Sequence, residues 1–357
     1  MKVIKDVLNS HIEIINKISL DILEKENIIS IYLYGGYGRD EGSWVFEKIN
    51  NETIVRPYND YDVALIVKKK ISREKLVIVE NELKKYINIK WIDITQYTIV
   101  NLKMFNPIIK NFDFKYASKW IYGDKNILEY IPDMKAKSIS LQDVETLYIT
   151  RLWTLIGAFP KDGLMKMSKE DEMFFRNQMA KSILAIVDTI LVFNKQYDTS
   201  YKRRVEKFKD YSTDTQLLDL SKWALEEKLF PKSENMSTDE IQDLYKKVNN
   251  LFFKYFYSTL SIYYRGNITK PEDIEKYIIY SPLNLIKRKI KKYFFNDNGR
   301  ELQMYLVILQ GYIAFYYFNM TEECLNKIHN IMKNKFSFIS SDIDEIRIKV
   351  AQLRVQL

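Results

Sequence analysis

The chain is short of the residues that turn and staple a backbone. Its 357 residues include 10 glycines, 7 prolines and one cysteine. So little punctuation argues against a sandwich or barrel, whose strands need a turn about every ten residues. It favours long helices joined by short connections. The lone cysteine, Cys324, excludes an intrachain disulfide and fits a reducing, cytoplasmic setting. Long apolar runs are missing as well. The longest in a helical region, 183–193, is broken by Asp188 and is too short to span a bilayer. Residues 1–16 mix Lys2, Lys5, Asp6 and Glu13 among apolar residues and contain no signal-peptide core. Charge of one sign is also lacking. The net charge is +8, with +2 in residues 1–136 and +6 in the rest, and bases and acids are interspersed. That balance suits a phosphate-bearing ligand better than a polybasic nucleic-acid footprint. The 26 tyrosines accompany abundant Ile, Lys, Asn and Phe, as an AT-rich genome produces, and are not read as stacking platforms.

Apolar spacing predicts a helix over residues 2–26, with Val3, Val7, Leu8, Ile12, Ile15, Ile18, Ile22 and Leu23 on one stripe. Ile29 to Tyr34 reads as a buried strand that runs into glycines. A polar excursion over 43–58 reads as a hairpin, with Trp44, Val45 and Phe46 on one arm and Thr53 to Val55 on the other. Tyr61 to Val67 is a second strand, 73–87 a helix capped by Ser72, and Ile87 to Tyr97 a third strand. Beyond about 98 the strand signal fades. After Ser140 helices follow one another: 141–158, 169–195, 201–210, 214–229, 238–264, 271–294, 299–318, 320–334 and a last one from about 341. The expected organisation is an α+β domain over 1–136, a mixed sheet flanked by helices, and an all-α domain over 137–357.

Four of the ten glycines crowd into eight positions: Gly35, Gly36, Gly38 and Gly42. A dinucleotide fingerprint fails because Glu41 stands where its third glycine belongs, and no Gly-Lys pair supports a Walker A loop. The residues downstream carry the chemistry. Asp60 and Asp62 alternate on the second strand and so project from one face. Carboxylates held that close repel unless something positive sits between them. A hard divalent cation such as Mg²⁺ takes oxygen ligands of this kind. Asp93, between Ile92 and Ile94 in the third strand, is costly there unless paired or metal-bound. Three aspartates on adjacent strands behind a glycine loop match a two-metal phosphoryl-transfer site.

Ile31-Tyr-Leu-Tyr-Gly-Gly-Tyr-Gly-Arg39, followed by Asn59-Asp-Tyr-Asp-Val-Ala-Leu-Ile-Val67, resembles the DNA polymerase β-type nucleotidyltransferase superfamily. That superfamily carries a strand, Gly-Ser or Gly-Gly, an Asp-x-Asp/Glu strand and a later third acid. The string from Gly36 to Ser43 is similar to its bacterial antibiotic-adenylyltransferase-like, minimal members. The stretch Tyr122 to Pro132 resembles the strand and turn that close such domains, and a helical C-terminal domain is usual. The likeness covers 29–95, with an echo to 132. Two departures stand out: Gly36 replaces the serine that commonly holds a donor phosphate, and Asp40 replaces a glycine.

The resemblance implies a nucleotidyltransferase that moves an NMP, AMP from ATP by preference, onto a hydroxyl of a small molecule or protein and releases pyrophosphate. Asp60 and Asp62 would bind two Mg²⁺ ions, and Asp93 would ligate the second ion or act as base. Gly35 and Gly36 would let the backbone approach the nucleotide phosphates. Arg39 would contact phosphate or brace the loop, and Lys181 of the helical domain would reach a phosphate. The helical domain would bind the acceptor or mediate oligomerisation, and no membrane is implied. Other acceptors stay open at this level. A toxin-type or signalling enzyme acting on RNA ends or nucleotides would share every catalytic residue. A metal-dependent nuclease would not need the glycine pair, and a catalytically inactive nucleotide-binding protein would have no need of all three acids.

Overall fold

The structure is a computed structural model and describes residues 2–50, 52–158, 167–232, 236–274, 302, 305–313 and 321–356. It is a mixed α+β protein, with an N-terminal mixed sheet and helices followed by a helical C-terminal region. The chain divides into two compact units, Met1–Asp143 with Val187–Glu234, and Val144–Ile186 with Asn235–Leu357. This differs from the expected division at 136/137. The first unit runs on to Asp143 and takes in a later stretch of helices. One of the dividing points, between residues 186 and 187, falls inside a continuous helix, Lys169–Phe193.

The first unit is built on four strands in the order β5-β4-β1-β6: β1 (Ile28–Tyr34), β4 (Asp60–Val67), β5 (Trp91–Tyr97) and β6 (Lys119–Gly123). β1 is antiparallel to β4 and to β6, whereas β4 and β5 run parallel. A parallel pair needs a crossover, and helix α3 (Arg73–Tyr86) supplies it. Ser72 caps α3 as expected, its side chain accepting from the Lys75 amide. The expected hairpin is present as β2 (Ser43–Ile49) and β3 (Glu52–Tyr58), with Trp44 opposite Pro57 and Phe46 opposite Val55. β6 is the strand that periodicity alone leaves unmarked.

Alternation along the strands sorts the side chains onto two faces. Ile31, Leu33, Tyr61, Val63, Leu65, Ile92 and Ile94 pack against helix α1 (Lys2–Ile22) and α3. Tyr32, Tyr34, Ala64 and Ile66 pack on the other face with Leu102 and with Phe114 of helix α5 (Ile109–Ala117). Each wholly buried Leu, Ile or Val on the first face stabilises the fold by about 1.5–3 kcal/mol. A slip of one residue would turn those side chains out and drive the intervening aspartates into the core, so the register of β4 is strongly specified.

The same unit includes α8 (Tyr201–Phe208) and α9 (Thr215–Leu229). In the helical unit the long helix Thr238–Tyr264 starts in a capping box, in which Ser237 and Glu240 satisfy each other's backbone amides. Its Phe252 and Phe256 are buried against Tyr148, with ring centroids 5.2 and 5.4 Å away. This is the core role that helical spacing assigns to aromatics. The helices expected over 271–294 and 299–318 lie largely outside the described residues, which show helix at Pro271–Ile274 and over 305–313. No described helix is long and apolar enough to cross a membrane.

Candidate functional site

β1 ends where β4 and β5 begin, and the three aspartates gather at that end of the sheet. Asp62 lies opposite Tyr34 of β1 on one side and opposite Asp93 of β5 on the other. Cross-strand partners share a face, and Asp60 lies two residues before Asp62 on the same strand. One carboxylate oxygen from each of Asp60, Asp62 and Asp93 lies within 4.8 Å of the others. Asp60 and Asp62 are half-buried and Asp93 is exposed. This face rises from the apolar floor of Tyr34 and Phe114, whose rings meet edge to face at 5.4 Å.

Three acids so close make ionisation costly. Burial, then Asp60 and Asp93, push Asp62 up to about 7, while Arg39 and Lys110 pull it back. Asp93 is raised too, first by the water its carboxylate loses to its neighbours and then by Asp60 and Glu80, against Arg73 and Lys84. Glu80 is fixed by Arg73 at 2.6 Å and by the Ile94 amide at 3.3 Å. The Asn59 side chain donates to Asp60 at 2.6 Å, and Asn59 itself takes φ +83°, a region that asparagine tolerates better than most residues. Burial, then Asp62, also hold the Tyr34 hydroxyl well above its ordinary range, and that hydroxyl pairs with Thr95 at 3.1 Å. A cluster of three carboxylates, with Asp62 and Asp93 raised in proton affinity, aimed from one face into a shared space, is suited to a hard cation.

The glycine turn presses directly on this cluster. Gly35 has φ +65°, and a Cβ placed on it would lie 2.0 Å from a carboxylate oxygen of Asp62. Glycine is required there on both counts. At Gly36 a Cβ would meet Lys228 Nζ at 3.1 Å and the Glu41 carbonyl at 3.2 Å. Gly38 and Gly42, which the sequence ties to no chemistry, are equally constrained. Gly38 packs on the Leu33 carbonyl and Gly42 on the Tyr37 ring.

Of the two roles open to Arg39, the contacts are those of a brace. Its guanidinium pairs with Asp113, donates to the Thr199 carbonyl at 3.2 Å and lies 4.7 Å from the centre of the Tyr201 ring. Asp113 also accepts from the Tyr197 hydroxyl at 3.1 Å. Asp40 is offset by Lys119, with which it forms an ion pair. Glu41 is buried and caps α8. Its carboxylate accepts from the Ser200 hydroxyl at 2.7 Å and from the Tyr201 amide at 2.6 Å. Lys228 donates to the Glu41 carbonyl at 2.6 Å. The first unit thus brings Asp60, Asp62, Asp93, Gly35, Gly36 and Arg39 together. Lys181 stands half-buried on the helix Lys169–Phe193, in the part of it that belongs to the second unit.

Several residues with a part here carry no signal in the sequence. Asp113, Tyr201, Glu41 and Lys228 hold the turn through contacts that span 74 to 187 residues of chain. Lys110, exposed at the start of α5, lies 5.9 Å from the centre of the Tyr34 ring, close enough for its charge to act on Asp62. No family model matches the chain, and no curated protein matches it.

Proposed function

We propose that the first unit is a metal-dependent nucleotidyltransferase, which transfers AMP from ATP to a hydroxyl of a small molecule or protein and releases pyrophosphate. The observation that carries this reading is the convergence of Asp60, Asp62 and Asp93 to within 4.8 Å, directly against a glycine that leaves room for them. The likeness of the segments 31–39 and 59–67 to the polymerase β-type superfamily supports it, as does the order of the elements that bear them.

The donor set fits divalent magnesium: three hard oxygens, repulsive by themselves and with two of them raised in proton affinity. Bound there by Asp60, Asp62 and Asp93, Mg²⁺ would neutralise charge on the triphosphate and on the departing pyrophosphate. The chain's own residues do the rest. The amides of Gly35 and Gly36, the first in a helical turn, would donate to phosphate oxygens. Lys110 adds an exposed positive charge on the same side. Asp93, the most exposed of the three acids, accepts the proton of the acceptor hydroxyl. That oxygen forms its bond to the α-phosphorus as the bond from that phosphorus to the bridging oxygen of pyrophosphate breaks. Arg39 works at a distance by fixing the turn. Positioning and electrostatics dominate such a transfer.

The test is incubation of the chain with α-labelled ATP, Mg²⁺ and cell extract. Label is expected on a small molecule or protein with wild-type chain, and none is expected with Asp60→Asn or Asp62→Asn. Absence of Mg²⁺-ATP binding by the wild type would overturn the proposal, as would transfer by both variants at the wild-type rate.

A further inference from the structure

The two flanks of the aspartate cluster are unlike. On the β1 flank the glycine turn presses on Asp62, and Lys110 acts on the same acid. On the other flank lies β5, the edge strand of the sheet, which carries the exposed Asp93. A nucleotide held at the turn leaves the β5 flank to the second substrate, whose hydroxyl must reach Asp93. What that substrate meets there is the end of α3.

β4 and β5 are parallel and α3 joins them, so the helix runs back against both strands. Its last turn therefore ends beside the start of β5, where Asp93 lies. Arg73, Glu80 and Lys84 fall on one stripe of the helix. The carboxylate of Glu80 accepts from the Ile94 amide at 3.3 Å, which sets that stripe beside Asp93. Lys84 stands one turn beyond Glu80, and its charge acts on Asp93. The other cations of this flank are engaged. Arg73 holds Glu80 at 2.6 and 3.0 Å, Lys85 holds Glu82 at 2.5 Å, and the Lys90 ammonium lies 4.6 Å from the centre of the Trp91 ring. Lys84 is exposed and forms no ion pair with any described residue. Once the aspartates hold a divalent cation, the metal meets the charge of Asp93 and Lys84 is left in surplus.

We infer that the second substrate is a small hydroxylated anion, whose phosphate or carboxylate is held by Lys84 while its hydroxyl lies at Asp93. Lys84 and Asp93 are within reach of each other's charge, so the hydroxyl and the anionic group are only a few bonds apart in the acceptor. This acceptor class rests on the transfer proposed for the aspartates.

A cell extract divided into protein, small molecules retained by an anion-exchange resin, and small molecules that pass through it tests this on the full chain. With α-labelled ATP and Mg²⁺, the retained small molecules are expected to take the label. Phosphatase treatment of that fraction, followed by removal of the phosphatase, tells a phosphate from a carboxylate, and either is the inferred anion. Lys84→Gln should raise the apparent KM for the retained fraction about tenfold, the loss of one charge-assisted contact, and leave kcat and the KM for ATP unchanged. Lys84→Arg, which keeps the charge, should stay close to wild type, as should Lys85→Gln. Acetylation of lysines by acetic anhydride, read by mass spectrometry, gives a measure free of turnover. With Mg²⁺ and an ATP analogue that cannot transfer, the retained fraction should slow acetylation of Lys84 several-fold and leave Lys85 unchanged. Label taken only by protein or only by the unretained small molecules would overturn the inference and leave the transfer reading standing. So would transfer with Lys84 unprotected, or Lys84→Gln indistinguishable from wild type. Label in none of the three fractions would overturn the transfer reading and this acceptor with it.

Discussion

Replacing Asp62 by asparagine should make the metal-free protein more stable while removing its activity. The substitution keeps the shape of the side chain against Gly35 and deletes the charge. An aspartate raised from 3.8 to about 7 in the folded state costs the fold about 4 kcal/mol at most once ionised, at about 1.4 kcal/mol per unit. Burial is the larger part of that cost and repulsion from Asp60 and Asp93 the smaller, and neighbouring side chains adjust when one charge goes. The expected gain is therefore about 1–3 kcal/mol, or about 2–10 °C in melting temperature for a domain of this size. The sign with pH follows from proton binding. The folded chain holds the Asp62 proton more tightly than the unfolded chain does. The penalty on wild type is thus absent below about pH 4, grows from about 4 to 7, and is complete above 7. Thermal melts in EDTA should show Asp62→Asn ahead of wild type at about pH 8, with less than half that lead at about pH 5. Added Mg²⁺ should raise the wild-type melt and leave the variant unmoved. A variant less stable than wild type at about pH 8, or ahead by the same margin at both pH values, would refute crowded charge as the source of the raised proton affinity.

Gly35→Ala combines a strained φ with a methyl group 2.0 Å from an Asp62 oxygen. It should cost about 2 kcal/mol or more in urea unfolding and abolish Mn²⁺ binding by calorimetry. Arg39→Met leaves the half-buried Asp113 without its cation and should destabilise the chain by about 3 kcal/mol. An unchanged melt with weakened ATP binding would instead return Arg39 to phosphate contact. Lys110→Ala should weaken Mg²⁺-ATP binding about tenfold by calorimetry without moving the melt. Equal affinity in that variant would remove Lys110 from the nucleotide site.

Short-range patterns made the candidate site legible. Alternation puts Asp60 and Asp62 on one face, and the glycines mark a turn that tolerates no side chain. The position of Asp93 opposite Asp62 needed only a strand register that the buried isoleucines and valines enforce. What stayed hidden is long-range. Nothing near Arg39 in sequence announces Asp113, and nothing near Glu41 announces the amide of Tyr201. Such pairs are chosen by the packing of α5 and α8 and leave no local period. β6 escaped for a different reason: it has five residues, only one of them buried, which is too short a run for alternation to show. One break between the units, at 186/187, lies inside a helix that carries neither proline nor glycine, so no local punctuation marks it.

The return of Val187–Glu234 to the first unit has a consequence for how the protein is made. A ribosome releases the sheet, the glycine turn and all three aspartates long before Thr199, Tyr201 and Lys228 emerge. Until they do, Arg39 lacks a carbonyl and a ring, Glu41 has no helix to cap, and the Glu41 carbonyl lacks its ammonium donor. The nascent sheet therefore has only part of the bracing of its turn, from Asp113 and Lys119, through the synthesis of a segment that belongs to the other unit. A chain cut after residue 136 would preserve that unfinished state permanently: every acid in place, and the loop held by Asp113 and Lys119 without Thr199, Tyr201 or Lys228.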